Sequence, residues 1–102
     1  MADIINIVAP VSEINEPTIK SDTTALEEEA FRGSWAIQNL GTNTLYVKLG
    51  DGASTTSFHF ALKAGSVNDD GTGGSVSQSE GVVFNGKITV AGVSPRYTLM
   101  NL

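Results

Sequence analysis

The sequence predicts an all-β protein: a small antiparallel β-sandwich or barrel of six or seven short strands, carrying an extended N-terminal arm. Three observations predict it. Apolar and polar residues alternate with a period of two in several five- or six-residue runs, the spacing of strands that bury one face. Turn-forming residues separate these runs, and glycine is frequent, at 11 of 102 residues. Length and composition, 40% hydrophobic and 17% charged, suit one globular domain with a modest core.

The elements follow in order. Residues 4–9, Ile-Ile-Asn-Ile-Val-Ala, are rich in β-branched side chains and suit one strand. Pro10 and Pro17 then punctuate the chain, and proline donates nothing to a sheet ladder. Residues 10–22 therefore read as extended and irregular. Residues 21–30 suit either a short helix, capped by Ser21 or Asp22, or an extended lead into the next strand. Trp35–Leu40 and Leu45–Leu49 alternate cleanly around Gly41-Thr42-Asn43-Thr44, which predicts a β-hairpin. A third strand is predicted over 57–62, with Phe58, Phe60 and Leu62 facing the same core. A long polar loop is predicted over 63–81, a length usually associated with mobility or function. Val82–Phe84 and Lys87–Val90 flank Asn85-Gly86, a strong hairpin signal. The last strand runs from Pro95 to Leu102. The expected core is Trp35, Ile37, Leu45, Val47, Phe58, Phe60, Phe84 and Leu99; on that reading Phe60→Ala costs about 3–5 kcal/mol.

Charge divides the chain. Residues 1–31 hold seven acids and one base, net −6, whereas residues 32–102 hold four acids and five bases, net +1. This predicts an acidic arm, 1–31, on a near-neutral body, 32–102, that folds largely by itself. An acidic segment disfavours the polyanions nucleic acid and anionic lipid as partners. The first apolar stretch is too short for a signal-peptide core or a membrane span.

Motifs for chemistry are sparse. The chain has no cysteine, which excludes disulfides, thiolate metal sites and cysteine nucleophiles. Gly81-Val82-Val83-Phe84-Asn85-Gly86-Lys87 imitates phosphate-loop spacing, but Ile88 stands where that loop needs Ser or Thr. Asn68-Asp69-Asp70-Gly71 carries oxygen ligands suited to Ca²⁺ without the alternating spacing of an EF-hand loop. His59 is the single histidine and has no serine elbow or acid pattern to make it a general base. The expectation is therefore a non-enzyme with no catalytic residues, no metal and no cofactor.

Contact residues are the better candidates. Ile4, Ile5, Ile7 and Val8 need covering, and a neighbouring subunit or another surface supplies the cover through strand pairing and side-chain burial. Arg32 suits either bidentate carboxylate binding or plain solvation. Tyr46 is the aromatic best placed for an exposed contact, with Trp35 the core anchor.

The run RGSWAIQNLGTNTLYVKLGDGASTTSFHFALKAGSV (32–67), followed by GKITVAGVSPRYTLMNL (86–102), resembles small capsid decoration (cement) proteins of tailed bacteriophages, with phages of cyanobacteria the first to compare. The resemblance spans residues 32–102, about two thirds of the chain, and the two runs that carry it make up about half. It implies a virion structural protein, made in the host cytoplasm, that binds the capsid surface and stabilises it, commonly as a homotrimer. The implied partners are the major capsid protein and further copies of the chain. A carbohydrate- or receptor-binding module on the virion and a head–tail joining component are the alternatives.

Overall fold

A computed structural model describes residues 16–29, 33–78 and 84–101. Among these residues there are eight strands and no helix: β1 (Thr18–Lys20), β2 (Thr24–Leu26), β3 (Trp35–Asn39), β4 (Leu45–Leu49), β5 (Phe60–Leu62), β6 (Ser75–Ser77), β7 (Ile88–Ala91) and β8 (Tyr97–Asn101). They form two four-stranded sheets, sheet A in the order β1-β8-β3-β6 and sheet B in the order β2-β7-β4-β5. Every strand pair is antiparallel.

The pairings reveal how the chain is wound. β1 pairs with β8, β2 with β7, β3 with β6 and β4 with β5. The chain is thus doubled on itself as one long ribbon, whose four rungs fall alternately in sheet A and sheet B. Wrapping the ribbon brings β8 against β3 and β7 against β4. This is jelly-roll winding, in which two interlocked Greek keys share one core.

Alternation within each strand decides which side is buried. Trp35, Ile37, Tyr97 and Leu99 of sheet A meet Leu45, Val47, Leu62, Ile88, Val90 and Ala25 of sheet B in a single apolar cluster. Tyr97 is fully buried, and its hydroxyl donates to the Asp22 carbonyl at 2.7 Å. Burial, aided by the Asp22 charge, pushes its phenol pKa up.

Several sequence expectations are corrected. β3 and β4 are not a hairpin; they lie in different sheets, and residues 40–44 cross between them. Asn85-Gly86 does not join two paired strands in the described chain. β7 has β2 on one edge and β4 on the other, so neither edge is left for a hairpin partner. Residues 82 and 83 lie outside the described residues. Of the two alternatives for residues 21–30, the extended one holds over the described residues 21–29, which contain strand β2 and no helix. Phe60 is exposed, at 37%, because β5 is an edge strand with only three paired residues, and Phe58, exposed at 41%, precedes β5 and lies against the Tyr46 ring. Leu62 carries the burial on that strand, while Phe84 packs half-buried against the cluster. The strand expected over 4–9 lies outside the described residues. The part of the acidic arm that is described, 16–29, supplies one strand to each sheet.

Candidate interaction surfaces

Three features stand out on the surface, and each grows from a local sequence cause.

The first is the outer face of sheet A. Alternation that buries Trp35, Ile37, Tyr97 and Leu99 turns Ala36, Gln38, Thr98 and Met100 outward. Register adds Ile19 beside Thr98, and Ser75 beside Gln38. Ser75 and Ser77 are exposed while Val76 packs on the core. No outward position on these four strands carries a charge. Pro17, Ala36, Gln38, Ser75, Thr98 and Met100 line a shallow, mainly apolar groove of about 230 Å³ across it. Ile19 remains 55% exposed at its rim. The face thus combines neutral polar side chains with Ala36, Met100 and the exposed Ile19.

The second is an aromatic pair on the outer face of sheet B. Tyr46 alternates away from Leu45 and Val47, and its ring lies 4.8 Å from that of Phe58, tilted by 55°. Such tilted pairs add modest stability beyond area burial. Tyr46, Asn43, Thr44, Thr55 and Val93 line a neighbouring groove. Tyr46 is therefore half-buried against a second aromatic rather than standing alone.

The third is a polar clasp at one end of the sandwich. Asn39 is buried on β3, and its side chain joins three segments. Its Nδ2 donates to the carbonyls of Asn43 at 2.9 Å and Lys63 at 3.1 Å, and its Oδ1 accepts from the Gly41 amide at 2.9 Å. The Asn39 amide donates to the Gly74 carbonyl. Gly73 passes so close that a Cβ there would collide with the Asn39 carbonyl, which is why this residue lacks a side chain.

The clasp organises the loop that precedes β6. Asp70 accepts hydrogen bonds from the Thr72 hydroxyl and amide and from the amides of Val67 and Ser66. These donors hold its carboxyl at about 2, the Thr72 hydroxyl most strongly. Asp69 sits in the left-handed region, φ 63°. Its two oxygens take a bidentate grip from Arg96 at 2.7 and 2.8 Å, which lowers the carboxyl pKa and raises that of the guanidinium. The Ca²⁺-suited acids are thus engaged with protein donors.

The remaining sequence candidates are placed as follows. Ile4, Ile5, Ile7, Val8 and Arg32 lie outside the described residues. The bidentate arginine in the described structure is Arg96, which sequence reasoning passed over because its partner is distant in the chain. His59 is exposed, and its Nδ1 accepts the Leu49 amide at 3.0 Å. Lys87, at the end of the phosphate-loop-like run, pairs with Asp51 at 3.4 Å, and Ile88 opens a strand rather than a helix. No group of three or more His, Cys, Asp or Glu side chains converges among the described residues. Comparison of the chain with family models, curated proteins and solved structures finds no match.

Proposed function

We propose that this chain is a virion structural protein that binds the outside of a phage capsid and stabilises it, as a homotrimer, by contact rather than catalysis. The observation that carries the proposal is the charge-free outer face of sheet A, with Ile19 exposed on it. Covering a face without charge avoids the large cost of desolvating ions, which suits a surface that is buried on assembly. Two supports are independent of that face. The run 32–67 resembles phage decoration proteins, and jelly-roll winding is used by viral capsid domains. That winding also serves lectins and cupins, so the fold alone assigns no function.

The test uses particles that lack the protein. Purified chain added to them should bind saturably, in copies proportional to the major capsid protein, and should raise the temperature at which the particles release their genome. Absence of saturable binding, or a dozen copies or fewer per native particle, overturns the proposal. The low count would point instead to a head–tail joining component.

One observation favours a second reading. The Tyr46–Phe58 pair beside Asn43 and Thr55 offers the aromatic and neutral polar groups that a carbohydrate-binding module needs. Glycan binding that is lost in Tyr46→Ala, without loss of fold, would favour it.

A further inference from the structure

We infer that the outer face of sheet A receives the apolar segment Ile4–Val8 from a second copy of the chain, so that protomers are joined by exchanged arms. The inference rests on the reading of that face as an assembly surface, and it names the partner. Three observations lead to it.

Composition matches first. Residues 4–11, Ile-Ile-Asn-Ile-Val-Ala-Pro-Val, contain no charge, although residues 1–31 as a whole are strongly acidic. The stretch and the face are thus alike in being free of charge. A charged segment laid on this face would bury its charges without partners.

The second observation is where the chain enters. β1 is an edge strand of sheet A, and Pro17 precedes it and lines the groove. Fifteen residues precede the described chain at this edge. Pro17 biases Glu16, and Pro10 biases Ala9, towards extended backbone. The β1–β8 register puts Glu16 level with Asn101, at the end of β8, so an extended continuation passes that end of the protomer's own sheet.

The third is reach. Eight residues lie between Val8 and Pro17, nine backbone steps that when extended span at most ~30 Å. Four strands at about 4.8 Å spacing occupy roughly 15 Å. The arm is long enough to cross a boundary and cover a neighbour's face. Giving an arm on one side and receiving one on another is a heterologous contact, which closes into a ring when the rotation permits. A trimer is one such ring.

The absence of native cysteine makes the test direct. Ile7→Cys is combined with Thr98→Cys at the centre of the face, and separately with Gln38→Cys, in the full chain. A control combines Ile7→Cys with Thr55→Cys on the loop over sheet B. Folding is checked by circular dichroism, and the proteins are oxidised at micromolar concentration. The expected product is a covalent oligomer whose disulfide, mapped by mass spectrometry, joins position 7 of one chain to position 98 or 38 of another, at least tenfold more abundant than in the control. A disulfide within one chain, a free thiol at both positions, or equal crosslinking in the control overturns the inference. Binding to particles is measured on the same samples. Crosslinked rings that do not bind particles would defeat the capsid reading and leave arm exchange standing; binding without crosslinks would do the reverse.

Discussion

Individual side chains on this scaffold owe their weight to where a strand sits, not to their chemistry alone. Ile37 is fully buried on β3, between β8 and β6, whereas Phe60 is 37% exposed on the edge strand β5. Truncation to alanine should therefore cost about 3–4 kcal/mol at Ile37, a cavity in the core. At Phe60 it should cost about 1–2 kcal/mol, a partial loss of apolar burial. Urea titration of both variants checks the order, and a larger loss at Phe60 would place its ring in the core. The Asp70 loop gives a residue-scale prediction in pH. Its folded carboxyl is held at about 2, below the ordinary 3.8. A depressed carboxyl stabilises the fold above its ordinary value, and that contribution is lost as pH falls through the folded value. The amides of Ser66, Val67 and Thr72 should lose protection from exchange as pH drops from about 4 to about 2, after correction for intrinsic exchange. Asp70→Asn should show weak protection there already at neutral pH.

At the scale of elements, the segment before Arg32 has two parts with different fates. β1 pairs with β8 and β2 with β7, Ala25 is buried, and the Asp22 carbonyl satisfies the Tyr97 hydroxyl. Removing residues 1–31 takes one strand from each sheet and leaves a buried phenol without its acceptor, a loss of the kind that costs about 1–3 kcal/mol by itself. That truncation should fail to fold. Removing residues 1–15 should leave a cooperatively folded domain that no longer assembles. Circular dichroism and sedimentation of the two truncations decide this, and a folded protein beginning at Arg32 would show that β1 and β2 are dispensable. What the sequence made legible follows the same divide. Period-two alternation located β3, β4 and β8 and most of their inward residues, because a half-buried strand imprints its burial on every second residue. Partnership left no such imprint. Gly41–Thr44 looks the same whether it turns within a sheet or crosses between two. Asn85-Gly86 has hairpin chemistry, yet β7 spends both edges on strands remote in sequence. β1 and β2 are three residues each, too short for a period to register, and β6 is two serines around one valine. The outer face of sheet A was invisible for the same reason: its residues come from four separate segments, and only the register brings them side by side.

For the molecule as a whole, winding sets the manner of folding. The pairs that define each sheet are remote in sequence, Thr18 with Leu99 and Thr24 with Thr89, while among the described strands only β4 and β5 pair as neighbours. The β4–β5 rung is consequently the cheapest to close, and each further rung closes a longer loop at slowly rising entropic cost. β8 is placed between β1 and β3 and carries Tyr97 and Leu99 into the core. Sheet A has no centre until it arrives. One cluster draws on both sheets, so neither sheet has a core of its own. Two consequences follow. Refolding should be slow for a domain of this size, in the millisecond-to-second range expected of non-local β topologies. Unfolding should be a single transition. Stopped-flow fluorescence of Trp35, which reports on sheet A, should give one dominant refolding phase. The amides of Ile37 and Val47, in different sheets, should exchange with the same opening free energy, equal to that of global unfolding. Two distinct opening energies, or microsecond refolding, would mean that the sheets are separable units and that the shared cluster does not couple them.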